Sequence, residues 1–173
     1  FVIGHVGRLC DQKNQDFLLE VFAQVKRRRP ESRLLLVGEG ELLGRLKEKA
    51  GELGVAESVI FYGPASRVER LLWAMDVFAF PSRFEGLGIA AVEAQAAGTP
   101  VAASEFVPDE ACAGPIFRRL SLDAGTYAWA DALLGACRPA DRASCADRVK
   151  EAGFDISGVA RQLEGCFVSG EMQ

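Results

Sequence analysis

The sequence has little from which to build a disulfide framework or a zinc site. Its cysteines, at 10, 112, 137, 145 and 166, are odd in number, scattered, and form no C-x-x-C pair. Such usage reads as reduced thiols in a cytoplasmic protein. No apolar run reaches the length of a membrane-spanning helix, and no secretory signal is visible. Positive charge is not in excess. Lys and Arg number 20 against 24 Asp and Glu, a net charge of -4, which argues against a general nucleic-acid binder. The one basic cluster, Lys26, Arg27, Arg28 and Arg29, closes a helical stretch before Pro30 and reads as a solvated helix cap. A patch for phosphate or anionic lipid is the competing reading. Internal repeats, low-complexity segments and interdomain linkers are missing too. At 173 residues and 49% hydrophobic, the chain fits one domain with a sizeable core. It also lacks an initiator methionine and opens on the strand-like "FVIGHVG", so it is expected to be cut from a longer protein.

What is present is an alternation. Short β-rich apolar runs occur at 2–7, 33–38, 59–63, 76–82 and 100–104, with a possible edge strand at 116–121. Between them lie helical patterns. In 13–28 the apolar residues Phe17, Leu18, Val21, Phe22 and Val25 have helical spacing. A second helix is expected over 41–52. A third opens at Ser66, a capping residue with Glu69 three positions on. A fourth follows Phe84, and from Leu122 onward the chain reads as mostly helical. The tail, 169–173, is expected to fray. Continuous apolar strands separated by helices predict an α/β domain: a doubly wound, mostly parallel Rossmann-like sheet with helices on both faces. Such sheets bind ligands at the carboxyl ends of their strands.

Those ends carry the candidate residues. After the first strand, Gly7 permits a sharp exit, and Arg8 and Lys13 bracket a loop that opens a helix. Two cations beside free helix N–H groups suit a phosphate, although two surface charges would look the same. After the second strand, "VGEGELLG" imitates a dinucleotide fingerprint but has Leu43 where the third glycine belongs. It reads better as a tight turn, with Glu39 and Glu41 near a helix start. Gly63 and Pro64 turn the chain after the third strand. After the fourth, "PSRFEGLG" offers Gly86 and Gly88 for close backbone approach at the head of a helix, with Glu85 just before it. Glu93 sits two turns in, roughly 12 Å from Glu85 along the axis at 1.5 Å per residue. Its helical neighbours Ile89, Ala90, Ala96 and Ala97 are all apolar. Either Glu93 lines a cleft and accepts from ligand hydroxyls, or it pairs internally with a buried Arg.

Together, "GR-x4-K" at Arg8 and Lys13 and "FEG-[LF]-G" with "E-x7-E" at Glu85 and Glu93 resemble the group 1 (family 4) retaining glycosyltransferases. The likeness runs from Phe1 to about Glu110, more loosely beyond, and its wording is closest to bacterial exopolysaccharide and capsule transferases. It implies the GT-B fold, of which residues 1–168 would be the C-terminal, donor-binding half. The N-terminal half would hold the acceptor pocket, and this chain alone would transfer no sugar. The resemblance further implies roles. Arg8 and Lys13 would meet the donor diphosphate, helped by Gly7 and by the backbone at Gly86, Leu87 and Gly88. Glu85 would contact the donor sugar, Glu93 the ribose, and the turn Tyr62, Gly63, Pro64 would lie near the base. The expected donor is a UDP-sugar, the acceptor a glycan or lipid-linked molecule. The expected location is cytoplasmic or peripheral at the inner membrane face. No Asp-x-Asp motif occurs, in keeping with chemistry that needs no metal cofactor. The competing readings are a GT-B sugar-nucleotide epimerase half and a flavodoxin-like or receiver-type interaction module. His5, on the first strand, reads as a hydrogen-bonded structural histidine, and the 105–115 loop carries no assigned role.

Overall fold

The computed structural model describes residues 1–169. Six strands form one sheet in the order β3-β2-β1-β4-β5-β6, all parallel. They are β1 (Val2–Val6), β2 (Arg33–Val37), β3 (Val59–Gly63), β4 (Val77–Phe80), β5 (Val101–Ser104) and β6 (Phe117–Leu120). The order reverses between β1 and β4, the topological switch point of a doubly wound sheet. The helices are α1 (Gln15–Arg28), α2 (Leu43–Glu52), α3 (Val68–Ala74), α4 (Ile89–Ala96), α5 (Gly125–Leu134), α6 (Ala143–Val149) and α7 (Ile156–Ser169).

Strand periodicity sorts the core into two layers. Leu34 and Leu36 of β2, Val77 and Ala79 of β4, and Ala102 of β5 pack with Leu18 and Phe22 of α1, Leu46 of α2 and Trp129 of α5. The intervening residues, Leu35, Val37, Phe78, Phe80, Val101 and Ala103, pack with Leu72 of α3, Ala91 and Ala94 of α4 and Val149 of α6. Both faces are therefore buried, which is why the strands lack polar alternation.

Several boundaries differ from the sequence reading. Residues 11–13 form a 3-10 turn, and Asn14 takes a left-handed conformation (φ 57), so α1 starts at Gln15. Ser66 does not cap α3; the residue before the helix is Arg67, with no side-chain cap. The strand expected at 76–82 runs only over 77–80, and Asp76 at its entry accepts from the Val2 N–H and pairs with Arg138. The 105–115 loop is pinned, not loose. Gln95 donates to Ala111 O and accepts from Ala113 N–H, Arg119 donates to the carbonyls of Val107 and Pro108, and Val107 and Ala111 are buried. The basic cluster agrees with the reading as a solvated cap: Arg27, Arg28 and Arg29 are exposed, and Lys26 donates to the carbonyls of Pro30 and Ser32 just past the helix end. No helix among the described residues is long and apolar enough to cross a membrane. Of the tail expected to fray, Ser169 ends α7, and the rest lies outside the described residues.

Candidate functional site

Backbone contacts bind the loops after β1, β2 and β3 together. Gly7 N–H donates to Val37 O (3.0 Å), Leu9 N–H to Glu39 O (2.9 Å), Leu42 N–H to Leu9 O (3.2 Å) and Gly38 N–H to Gly63 O (2.8 Å). Gly38 has φ +130, and a Cβ there would lie 2.1 Å from Gly7 O; one on Gly40 would lie 2.2 Å from Leu9 O. The glycines of "VGEG" thus let two chains cross in contact and do not form a dinucleotide cradle. The loops enclose a cavity of about 880 Å³ whose wall includes Gly7, Arg8, Glu39, Glu41, Pro64 and Val68. The Arg8 side chain is 72% exposed, with Nη2 3.1 Å from Glu41 Oε2. No local pattern in the sequence points to this partner. Tyr62, 53% exposed on the edge strand, does not line the cavity.

Across the switch point the loop 11–15 is stitched to the loop 81–85. Asn14 Nδ2 donates to Pro81 O, Arg83 Nη2 to Asn14 Oδ1, Arg83 N–H to Gln12 O and Gln12 Nε2 to Phe84 O. Lys13 Nζ lies 2.6 Å from Glu85 Oε1, with the two side chains 17% and 6% exposed. The lysine stem crosses Gly7, where an added Cβ would stand 3.3 Å from Lys13 Cε. Two residues expected to face different parts of a ligand are thus each other's partner. Glu85 and Gly86–Gly88 line neither of the cavities described here. They form the head of α4, with Gly88 as its N-cap at φ 85.

Glu93 is not sunk in the core. Ala91, Val92, Ala94 and Gln95 face the sheet side of α4, and Glu93 is exposed on the other. Periodicity alone had not said which side faces the sheet. Its carboxylate has no hydrogen-bond or ion-pair partner among the described residues, so the internal pair is absent. Desolvation, and then the charge of Glu69, push its pKa up. It lines a second cavity of about 390 Å³ with Ser66, Glu69, Trp73, Ala96 and Ala97. Val68 stands in the wall of both cavities, so the one that holds Arg8 and the one that holds Glu93 are neighbours. Trp73, 57% exposed, was not foreseen; an aromatic on a helix gives no sign in sequence of which cavity it will meet. Among the described residues, no group of three or more His, Cys, Asp or Glu is placed to hold a metal.

Residues 1–110 match the family described as "Glycosyl transferases group 1". The chain belongs to this family. EpsF of Bacillus subtilis (strain 168), named as a glycosyltransferase, is 38% identical over 133 residues, which are 76% of this chain and 35% of EpsF. The D-inositol 3-phosphate glycosyltransferase of Segniliparus rotundus is 40% identical over 110 residues, 60% of this chain and 24% of that protein. Among solved structures, Anabaena HepE in complex with UDP and glucose superposes with a TM-score of 0.82 at 23% identity, covering 98% of this chain and 48% of HepE. The chain therefore spans about a third or less of those curated relatives and about half of HepE. The fold is the Rossmann-like one of GT-B enzymes.

In this group 1 glycosyltransferase chain the first strand carries a buried prop. His5 is fully buried, its ring stacked near Phe78. Its Nδ1 lies 2.9 Å from Ala79 O and its Nε2 3.1 Å from Gln15 Nε2. Burial, more than the nearby charge of Lys13, lowers its pKa from 6.5 to about 4, against the pull of the Ala79 bond. Between those two pH values the unfolded chain holds a proton on His5 that the folded protein does not. Stability should therefore fall as pH drops through that window, by roughly 3 kcal/mol in all, and the His5 contribution should level off below it. Urea denaturation at stepped pH checks this. A His5→Gln variant should show a shallower fall; an unchanged slope would refute the assignment.

Proposed function

We propose that this chain is the donor-binding half of a retaining glycosyltransferase that moves a sugar from a nucleoside diphosphate sugar, a UDP-sugar in the leading case, to a glycan or lipid-linked acceptor. The observation that carries the reading is a pair of neighbouring cavities at the strand ends that share Val68, one lined by a guanidinium and the other by an unpartnered carboxylate. Arg8 meets the diphosphate, which replaces Glu41 as its partner. An exposed pair of that kind is worth only about 0–1 kcal/mol, so the exchange is cheap. Lys13 and the amide-rich turn Gly86, Leu87, Gly88 add charge and N–H donors at the head of α4. Breaking the glycosyl–phosphate bond gathers negative charge on the departing nucleotide, and these fixed groups stabilise it without a metal. Glu93 accepts from the ribose hydroxyls. Glu85, held by Lys13, faces the donor sugar, and Gly63 and Pro64 border the base, with Tyr62 at the edge. UDP in the complex of HepE, a structural neighbour, supports the choice of nucleotide. The acceptor site and turnover belong to a second, N-terminal half, and the whole works on the cytoplasmic side, at the membrane surface where the acceptor is lipid-linked.

Calorimetric titration with UDP, GDP, ADP and FMN tests this. UDP should bind, and Glu93→Ala should weaken it about tenfold, the loss of roughly 1.5 kcal/mol of charge-assisted hydrogen bonding, with an unchanged melting temperature. Normal UDP binding by Glu93→Ala would remove that residue from the site. Binding of FMN alone would replace the transferase reading with a flavodoxin-like one.

A further inference from the structure

Gln15 is the first residue of α1 and has no exposed surface. It lies beneath the loop that carries Arg8. Its Nε2 donates to two acceptors, Arg8 O at 2.8 Å and His5 Nε2 at 3.1 Å. The three bonds fix one another. Ala79 O only accepts, so the His5 proton sits on Nδ1 and its Nε2 is a bare acceptor. Both groups facing Gln15 are then acceptors, and only the amide nitrogen satisfies them. The other end of the amide is left over. Gln15 Oε1 is buried with no hydrogen-bond partner. An apolar side chain of similar length would remove this orphan but strand His5 Nε2 and Arg8 O, so the amide is there for its two donations, one of which grips the backbone of the cation-bearing loop.

We propose that Gln15, braced by His5, is a positioning residue: by anchoring the Arg8 carbonyl it fixes the direction in which the loop from Gly7 to Lys13 presents its cations to a diphosphate. This rests on the reading of that loop as the diphosphate cradle. The line of support runs from β4 through the imidazole and the amide to the backbone of the residue whose side chain meets the ligand. A loop with its carbonyl released would still fold over the cavity, since Gly7 and Leu9 keep their bonds to the β2 loop. The Arg8 side chain would start from a looser base.

The test separates phosphate contacts from the rest of the ligand. Affinities for UDP and for uridine are measured by NMR titration for the wild type, Gln15→Met, Arg8→Ala and the double variant. Gln15→Met is expected to weaken UDP binding about tenfold and leave uridine binding unchanged, while the two stranded acceptors lower the melting temperature. In the Arg8→Ala background the same substitution should have almost no further effect. Unchanged UDP affinity, an equal loss for UDP and uridine, or full additivity with Arg8→Ala would overturn the proposal. If Gln15→Met folds poorly, Gln15→Asn, which keeps the amide one methylene short of the two acceptors, is read by the same ratio. A wild type that binds UDP no more tightly than uridine would instead overturn the cradle itself, and that result appears before any variant is compared.

Discussion

Lys13→Met should destabilise the protein by about 3 kcal/mol and abolish measurable UDP binding, whereas Lys13→Met combined with Glu85→Leu should regain most of the stability and none of the binding. The pair is 2.6 Å apart and mostly buried. Removing one partner of a buried ion pair typically costs about 3–5 kcal/mol because the other charge is left without compensation, while replacing both by apolar groups is often neutral. The low end applies here because the lysine retains some solvent contact. Binding follows a different rule, since in the proposed function the cation itself acts on the diphosphate and methionine supplies none. Urea denaturation and calorimetric titration of the three proteins separate the two effects. A single variant as stable as the wild type would mean that Glu85 is solvated and the pair has no structural weight.

Gly38→Ala should be similarly damaging for a steric reason, a loss of about 3–4 kcal/mol. The new methyl would meet Gly7 O at 2.1 Å, and that neighbour is backbone, not a side chain that can swing away. The turn also has φ +130, which side chains rarely adopt. Relief requires parting the β1 and β2 loops and so breaking the bond from Gly7 N–H to Val37 O beside Arg8. Gly86→Ala is the control. Nothing stands within 4 Å of its added Cβ, so stability should stay within about 0.5 kcal/mol. Its UDP affinity should nonetheless fall if, as proposed, the diphosphate rests on the turn 86–88, because the methyl would then occupy space that the ligand needs. Thermal melts and titrations check both; a Gly38→Ala protein with wild-type stability would show that the loops part without penalty.

The sheet was legible because the central strands β1, β2, β4 and β5 are largely buried on both faces, and a continuous apolar run between helical patterns has few other meanings. The strand ends followed from that, and with them the neighbourhood of Arg8, Glu85 and Glu93. The partners were not legible. Lys13 and Glu85 are 72 positions apart, and no local pattern says that they meet. Glu41 on Arg8 is a choice of side-chain direction across a loop. For Glu93 the apolar neighbours leave a cleft wall and an internal pair both open, because periodicity gives spacing along a helix and not the side on which the sheet lies; the structure lines a cavity with it beside Ala96 and Ala97. Helix starts moved for backbone reasons: Asn14 adopts a left-handed turn that its residue type permits without requiring it, and Ser66 leaves its capping potential unused.

The stitching between the 11–15 and 81–85 loops has a kinetic meaning. If these loops seat the proposed nucleotide, a seat whose two halves are already cross-tied has little left to organise when the ligand arrives, so association would resemble simple collision and discrimination among nucleotides would fall on residence time.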